Sequence, residues 1–414
     1  MNVSTVSALV SAIGSASKGT TIMLADGTYD ISKVWPLRFR TDSVQLYGAS
    51  QDPTKVILKG AGFKSSNTDE ELIKIEAVGI KLAYFTLRDG RANGVKLQTG
   101  ANHWLFIHNV YFIDICERSI KAPDMAISKN GAVEYCLFQQ VTPITSDIPN
   151  LHMNGDYIAG MDMMKIEGWS IHDNVFKNIR GMNGGARAAL FLWNGCKNTT
   201  IERNVFIGCD RSVAFGNPSS ANLDMDGGVI RNNFIVAGKD ISIEVCNSTG
   251  SLIASNTIYS TNPGYTRTVC FSNNRVNNLL KNNLVLGKLA VLSGYSPELA
   301  GNLSVSSVVT SWFRDVSGGD LHLTSSASLA IDKAVPLSQI ASDFDGGMRS
   351  SSPDIGADEM GSGALAKSGV ETPGPGVLEA NPIAGEFSVP VRRASMTYGR
   401  KSEWFTAKGQ RLLK

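Results

Sequence analysis

A short phrase recurs along the middle of this chain and constrains its fold more than any other feature. Each copy has an apolar residue, two further residues, an Asn and then one or two apolar residues, and four copies begin at Ile171, Ile201, Ile230 and Ile253. Successive Asn residues lie 30, 29 and 23 positions apart. A constant phrase at a variable period of this size indicates a solenoid whose rigid strands are joined by loops of different lengths.

The segments between the copies contain short runs that are rich in β-branched and aromatic residues, such as 189–193 and 241–245. Runs of this kind are typical of strands rather than helices. Strands that repeat at this period predict an all-β fold, a right-handed parallel β-helix. In this fold each coil buries one apolar face and forms hydrogen bonds to the coils above and below it.

The phrase extends beyond its four clearest copies. It continues to Asn283 and Asn302, and toward the N-terminus we match it to Asn109, whereas Cys136 replaces the Asn in the coil between. Asn suits a bend because it tolerates the left-handed backbone conformation and because its amide can stack on an Asn one coil away. We therefore interpret these residues as part of the architecture rather than as catalytic groups.

The pattern divides the chain into five parts: an N-terminal capping helix, the β-helix, a closing wrap over the last coil, a linker and a short C-terminal appendage. The cap is predicted from apolar residues at helical spacing before the first strand, where an open end would expose the core. The appendage is basic toward its end. The predicted bounds are 1–20, 21–310, 311–360, 361–377 and 378–414.

Composition excludes two classes of partner. The formal net charge is +2 and charged residues make up only 18% of the chain, so there is no basic surplus of the kind that nucleic-acid binding requires. No run approaches the roughly 18 apolar residues of a membrane span. We expect a monomer that binds neither nucleic acid nor membrane.

The cysteines give no sign of a metal site, because none belongs to a Cys-x-x-Cys pair. One interpretation is that they are small buried residues of the strands, and the alternative is one or more disulfides. The six are Cys116, Cys136, Cys196, Cys209, Cys246 and Cys270.

Three motifs resemble those of a known group of proteins. These are the Asn phrase, the segment 24–29 (Leu-Ala-Asp-Gly-Thr-Tyr), and the later segments 319–323 (Gly-Asp-Leu-His-Leu) and 354–359 (Asp-Ile-Gly-Ala-Asp-Glu). Over residues 21–359 the chain is similar to bacterial right-handed β-helix proteins of the pectate-lyase-like group. Within the group it looks nearest to polysaccharide lyase family 6, the alginate lyase and chondroitinase B type. The resemblance implies a carbohydrate-active enzyme in which a Lys acts as base and an Arg as acid, often with Ca²⁺ on the substrate carboxylate.

The resemblance also implies a location. Residues 381–389 and 407–413 are similar to the C-terminal sorting tails of some secreted Bacteroidetes-type proteins, so the appendage is interpreted as a sorting signal. No signal peptide is visible after Met1. We expect a secreted or cell-surface protein.

A second internal match sets the register of the strands that follow the Asn phrase, because residues 116–121 (Cys-Glu-Arg-Ser-Ile-Lys) parallel residues 209–214 (Cys-Asp-Arg-Ser-Val-Ala). Since neighbours in a strand alternate in direction, Ile120 and Val213 pointing inward would place Lys121 outward. Five arginines lie near the entry to these strands, namely Arg91, Arg118, Arg187, Arg211 and Arg267. The predicted outward row is Lys96, Lys121, Asp162, Phe191, Ala214, Glu244 and Cys270, and a flanking row is Gln98, Trp193, Cys246 and Ser272.

This strip suits an acidic polysaccharide, and β-elimination beside a uronate carboxylate needs a base, a group that neutralises the carboxylate and a proton donor. Lys121 is the candidate base if neighbouring Arg118 and Arg211 lower its pKa. Arg187 or Arg211 would neutralise the carboxylate. Phe191 and Trp193 would stack on sugar rings, with Arg118, Lys96 and Glu244 as further substrate contacts. Asp162 and Glu117 are the candidate ligands for a calcium ion, which prefers oxygen ligands.

Other interpretations of the same residues stay open. Lys121 can be an ordinary solvated lysine, and the acid–Arg pairs can be ion pairs along the stack. Asp162 and Glu244 can act together as the two carboxylates of a glycoside hydrolase, provided that they lie about 5–9.5 Å apart. The strip can also bind glycan without any turnover. The pair Asp343 and Asp345 resembles half of a calcium loop, but a simple turn explains it as well.

Overall fold

The chain forms a parallel β-helix whose coils build three long sheets. A computed structural model describes residues 1–98 and 100–362, so the predicted linker beyond Ser362 and the predicted sorting tail lie outside the described residues. Within the described part the three sheets have ten, twenty-one and six strands and are stacked as in a right-handed β-helix. The predicted fold class is confirmed.

The ten-stranded sheet carries the candidate site and is called the site sheet. Each strand pairs in parallel with the corresponding strand of the next coil. Its strands are Leu37–Phe39, Glu71–Ile75, Asn93–Leu97, Arg118–Ala122, Ala159–Met164, Ala188–Trp193, Val213–Phe215, Ile243–Cys246, Val269–Ser272 and Leu289–Val291.

The twenty-one-stranded sheet carries the Asn phrase and is called the ladder sheet. Most coils supply two strands to it, one on each side of the bend. Its strands are Asn2–Val3, Thr21–Leu24, Gly27–Asp30, Gln45–Gly48, Val56–Lys59, Lys81–Gly90, Phe106–Ile115, Ala132–Glu134, Leu137–Gln139, Ser170–His172, Val175–Lys177, Thr200–Glu202, Val205–Ile207, Val229–Arg231, Phe234–Val236, Leu252–Ala254, Thr257–Tyr259, Leu279–Lys281, Leu284–Leu286, Glu298–Ala300 and Leu303–Val305.

The third sheet consists of six short strands, each of which lies between the strands of the other two sheets along its coil. Its strands are Gly100–Ala101, Ala126–Lys129, Ile166–Glu167, Cys196–Lys197, Met225–Asp226 and Ser248–Thr249. Outside the coils, Phe313–Asp315 and Asp320–Leu323 form an antiparallel hairpin. The described helices are the α-helix Val6–Gly14 and two 3₁₀ turns, His152–Gly155 and Thr310–Trp312.

The Asn side chains form the predicted stack. The amide of Asn174 donates to the side-chain oxygen of Asn204 (3.0 Å), and the same contact continues through Asn233, Asn256 and later coils. Each side-chain oxygen also accepts the backbone N–H of the Asn one coil earlier. The stack therefore satisfies buried backbone groups at every bend.

Two details of the predicted ladder are wrong. The residue in the left-handed conformation is the one before each ladder Asn, for example Asp173 (φ 55°) and Arg203 (φ 52°). Asn109 is likewise left-handed (φ 51°) and lies level with Tyr135 and Asp173, one place before the ladder. The ladder Asn is selected by its buried amide contacts rather than by its backbone conformation.

The interior of the coils is filled by rings in register. Phe112, Phe138, Phe176 and Phe206 stack face to face, with ring centroids 4.5–5.0 Å apart, and all four are fully buried. Identical rings recur because parallel strands put the same strand position of each coil at the same depth.

The cysteines belong to this interior. All six are buried and free, so the interpretation as small buried residues is confirmed and the disulfide alternative is wrong. Within the described residues, no helix has both the length and the apolar content to cross a bilayer.

The N-terminal helix begins after Thr5, whose hydroxyl accepts the N–H of Ala8 (3.1 Å), and it buries Leu9 and Ala12. The segment after the last coil differs from the expected wrap over the end. Trp312, Leu321, Ile355 and neighbouring apolar residues instead pack along the outer side of the ladder sheet. At the last coil itself, Leu299 is 55% exposed.

Candidate functional site

The register of the site sheet places the predicted outward residues in one row, so the register that the internal match predicted is confirmed. Neighbouring strands of a sheet lie about 4.8 Å apart. The number of strands between two residues of this row therefore gives their separation along the stack. The row runs Lys74, Lys96, Lys121, Asp162, Phe191, Ala214, Glu244 and Cys270.

The first group of side chains, called the Lys121 cluster, consists of Arg91, Glu117, Arg118, Lys121 and Asp162. Arg118 donates from Nε to Asp162 Oδ2 (3.0 Å) and from Nη1 to Glu117 Oε2 (2.9 Å). Lys121 Nζ donates to the same Asp162 oxygen. Arg91 Nη1 lies 3.8 Å from Glu117 Oε1. The cluster is thus a continuous ion-pair network across three coils.

The long insertion after Gln139 covers this network. Tyr157 lays its ring on the guanidinium of Arg118, and His152 contacts Glu117 through Nδ1. Arg91 donates from Nη2 to the carbonyl of Pro149. Lys121, which pairs with Asp162 in this network, is only 7% exposed, so the interpretation of this residue as a solvated lysine is wrong.

Burial sets the electrostatics of Lys121. Loss of solvent lowers its pKa, and the neighbouring charge of Arg118 lowers it further, whereas Asp162 opposes the shift. The net direction is downward, toward a neutral amine. The neighbouring positive charge that lowers the pKa of Lys121 comes from Arg118. The sequence analysis predicted that Arg118 and Arg211 would both supply it.

The second group, called the Glu244 cluster, consists of Arg187, Arg211, Asp240, Glu244 and Arg267. Glu244 Oε2 forms ion pairs with Arg187 Nη1 and Arg211 Nη1, both at 2.9 Å, and it accepts a hydrogen bond from Arg211. Arg211 also donates from Nη2 to Asp240 (2.5 Å). Burial raises the pKa of Glu244, and Arg211 opposes this. Arg267, which lies at the exposed side, acts on Asp240 and Glu244 through its charge.

The third group, called the Glu71 cluster, is smaller. Lys74 and Lys96 both form ion pairs with Glu71. Each of the three clusters has one more cation than anions: two against one here, three against two in the Lys121 cluster and three against two in the Glu244 cluster. The face therefore holds a formal surplus of +3 on a chain whose total is +2.

An aromatic pair separates the two larger clusters. Phe191 and Trp193 stack at 5.2 Å with an interplanar angle of 8°, and the guanidinium of Arg187 lies 4.4 Å above Phe191. Trp193 also donates from Nε1 to Asp162 Oδ1 (3.0 Å). Phe191 is buried by its neighbours and Trp193 is half-buried, so the ring of Trp193 is the more accessible of the two.

The structure does not bring all the predicted residues together. Lys121 and the coil of Arg211 are three strands apart, about 14 Å along the stack. Asp162 and Glu244 are also three strands apart, about 14 Å. This is outside the range for paired hydrolase carboxylates, so the hydrolase pair Asp162–Glu244 is excluded.

The carboxylates predicted to hold calcium have other partners. Asp162 accepts from Arg118, Lys121 and Trp193, and Glu117 accepts from Arg118 and contacts His152. Among the described residues, a group of three ligand-type side chains with converging atoms occurs elsewhere, at His322, Asp345 and Asp358. The structure thus contains a candidate acidic and histidine metal site, which lies outside the site sheet.

Some residues of the clusters were missed by the sequence reasoning. Lys74 would have been found by continuing the outward row one coil toward the N-terminus. Tyr157 and His152 carry no such signal, because the insertion that holds them has no counterpart in the other coils. Asp240 and Tyr265, whose hydroxyl donates to Asp240 (2.9 Å), lie in loops before two site strands.

Comparison with known proteins supports the fold. No protein-family model matches the chain, and no curated protein matches it in sequence. The crystal structure of pectate lyase Pel9A is similar over 84% of this chain and 90% of that one, with a TM-score of 0.52 and 12% identity. An alginate lyase from Paenibacillus sp. str. FPU-7 is similar over 72% and 96%, with a TM-score of 0.45 and 13% identity.

A mannuronic acid specific family 6 lyase from human gut microbiota is similar over 70% of this chain and 66% of that one, with a TM-score of 0.40 and 12% identity. At these identities the likeness shows the fold alone. The chain is a right-handed β-helix protein with structural similarity to pectate-lyase-like proteins, several alginate lyases among them. A fold does not by itself select a reaction.

Proposed function

We propose that this chain is a secreted or cell-surface carbohydrate-active protein that binds an acidic polysaccharide along the site sheet and cleaves it by β-elimination. The observation that carries the proposal is the row of three charge clusters, in which the Glu71 and Glu244 clusters each keep one surplus cation when Lys121 is the neutral base. A polyanion that lies along the stack meets these surpluses in turn. Trp193 offers a flat apolar ring between the two larger clusters, where a sugar ring stacks.

Lys121 is the proposed base. Its lowered pKa favours the neutral amine that can take the proton next to a uronate carboxylate. Lys96, in the next coil, and Arg118 neutralise that carboxylate, which stabilises the negative charge that develops during proton abstraction. The electrons of the broken C–H bond form the new double bond, and the glycosidic oxygen leaves. The Lys121 ammonium then returns its proton to the leaving oxygen.

Arg187 and Arg211 act on a different part of the substrate. Because the coil of Arg211 lies about 14 Å from Lys121, both arginines bind the carboxylate of a sugar residue further along the chain. Glu244 fixes the two guanidinium groups in position. In this arrangement protein cations do the work that calcium does in the similar family, and we expect turnover in the presence of a chelator.

The test is to incubate the protein with alginate, pectate and glycosaminoglycans, with calcium or with a chelator, and to follow the absorbance of unsaturated chain ends. Lys121→Ala is expected to abolish product formation while binding persists, and Arg211→Ala to weaken binding. Lys129→Ala is the matched control, since Lys129 forms an exposed ion pair with Glu167 on the short sheet. Absence of product from every acidic glycan, with and without calcium, would contradict the lyase proposal.

A second candidate function is glycan binding without turnover. It is favoured by the pairing of the cluster carboxylates with cations and by the 7% exposure of Lys121. The two functions give different results in one experiment. A binding module retains the same glycan affinity in the wild type and in Lys121→Ala, and neither protein releases unsaturated product.

A further inference from the structure

The segment that packs on the ladder sheet contains a histidine surrounded by carboxylates. His322 lies in the hairpin strand Asp320–Leu323 and is 6% exposed. Its ring stands edge-on to Phe234 of the coils (5.0 Å) and to Phe344 (5.6 Å). Phe234 and Phe344 stack on each other (3.9 Å), so the His322 ring packs against an aromatic pair.

The two ring nitrogens of His322 have different surroundings. Nδ1 contacts Asp320, two residues earlier on the same strand. Nε2 points toward two carboxylates from other parts of the chain: Asp345 Oδ2 lies 2.9 Å away, and the ligand atoms of His322, Asp345 and Asp358 all lie within 4.8 Å of one another. Three segments that are distant in sequence thus converge on one nitrogen.

We propose that His322, Asp345 and Asp358 bind a divalent first-row transition-metal ion of the Zn²⁺ type. One imidazole nitrogen and two carboxylate oxygens form a donor set of the kind zinc takes, whereas calcium takes oxygen ligands. Ligands at about 2.0–2.2 Å from zinc lie about 3–4 Å from one another, which small side-chain movements reach from the observed positions.

The surrounding residues support this assignment. In many metal sites a carboxylate holds the other ring N–H of the ligating histidine and so fixes its tautomer, and Asp320 stands in that position. Asp358 is 4% exposed, and the hydrogen bond that the structure gives its carboxylate comes from the N–H of Leu323 to Oδ2 (2.7 Å). The side chain of Asp345 is 31% exposed, which leaves the site open to an entering ion.

Charge also favours a cation at this place. Asp320, Asp345 and Asp358 bring three negative charges to one imidazole, and with a proton on each ring nitrogen the group has a formal charge of −2. A divalent ion at Nε2 displaces the proton that Nε2 shares with Asp345, and that proton leaves to solvent. The formal charge then changes from −2 to −1.

The loop that supplies Asp345 explains a motif from the sequence. Asp343 accepts the N–H groups of Asp345 (3.0 Å) and Gly347 (2.8 Å), so Asp343 shapes a turn, as one interpretation predicted. The turn aims Asp345 at His322. The ion would connect the hairpin, this turn and the strand end at Asp358, and so fasten the segment against Phe234.

The experiment is calorimetric titration of the chelator-treated, dialysed full chain with ZnCl₂, and with CaCl₂ in a second arm. Co²⁺ in place of Zn²⁺ reports nitrogen and oxygen ligation by its visible absorption. The expected result is one equivalent of Zn²⁺ in the wild type, loss of that binding in His322→Gln, and affinity at least tenfold weaker in Asp345→Asn.

His172→Gln is the matched control. His172 also contacts two carboxylates, but they sit at opposite ring nitrogens, Glu134 at Nε2 and Asp173 at Nδ1, so this variant is expected to bind Zn²⁺ like the wild type. If His322→Gln does not fold, Asp345→Asn decides the question, because the Asp345 side chain lies at the surface. The proposal is overturned if the wild type binds no Zn²⁺, if Asp345→Asn binds it unchanged, or if Ca²⁺ binds the same site as tightly.

Discussion

The substitution Asn204→Ala tests the account of the ladder. Asn204 is fully buried, and its amide donates to Ile171 O (2.9 Å), Glu202 O (3.0 Å) and the side chain of Asn233 (3.1 Å). Its oxygen accepts the backbone N–H and the amide of Asn174, both at 3.0 Å. Alanine leaves the buried N–H of Asn174 without this acceptor, at a cost of about 1–3 kcal/mol, and loses several further bonds of about 1 kcal/mol each. We expect a total loss of about 3–5 kcal/mol in the free energy of unfolding.

Urea unfolding measures this loss, and Asn302→Ala is the control. Asn302 lies at the last coil and is half-buried. It forms ladder contacts to the preceding coil only. Its replacement is expected to cost about 1–2 kcal/mol. Hydrogen exchange at the bend after Ile171 should accelerate in Asn204→Ala and stay unchanged in Asn302→Ala. Equal losses for the two variants would refute the view that the buried two-sided contacts make the ladder stable.

Three further predictions concern the same coils. Cys136→Asn extends the Asn ladder by one coil beyond Asn174, whose side-chain oxygen already accepts the backbone N–H of Cys136, and we expect it to raise the free energy of unfolding by about 1 kcal/mol in urea titrations. Phe176→Ala removes a ring stacked between two others and should cost about 3–5 kcal/mol by the same measurement. Burial opposes protonation of His172, but contacts to Asp173 and Glu134 outweigh it and raise its pKa to about 9. Because the folded pKa exceeds the unfolded value of about 6.5, this stabilisation is complete below about pH 6.5 and is lost toward pH 9. Thermal midpoints should fall less over that window in His172→Gln than in the wild type; the contribution of His322 remains in both proteins.

The repeat was predictable because two positions of the phrase have the same structural role in every coil. Ile201 points into the core and Asn204 meets the amides of neighbouring coils, so both recur wherever a coil recurs. The left-handed residue before the ladder left no such signal. That place is taken by residues as different as Asp173, Arg203 and Ser255, since the side chain there takes no part in the Asn stack and has different contacts in different coils, such as the Arg203–Asp173 ion pair.

The sequence predicted the register of the candidate site but not the burial of its side chains. Lys121, Asp162 and Glu244 fell into one row because parallel pairing fixes which positions share a line. Arg118 and Glu117, which share the network of Lys121 and Asp162, are contacted by Tyr157 and His152 from an insertion that has no repeat. A row position tells which way a side chain points but not what lies above it, so ion pairing and loss of solvent had to come from the structure.

Two outer faces of the coil stack differ in polarity, and this difference is the reason to look for function along the charged row. On the second strands of the ladder sheet the outward row is apolar, with Val205, Phe234 and Leu284 in register, and the segment after the last coil covers it. An apolar face of this kind requires a cover, because its exposure to water costs about 25 cal/mol per Å². The outward row of the site sheet is charged and requires none. The cover on the ladder sheet therefore buries apolar surface. On the site sheet the insertion instead packs over charged groups, and loss of solvent lowers the pKa of Lys121 there.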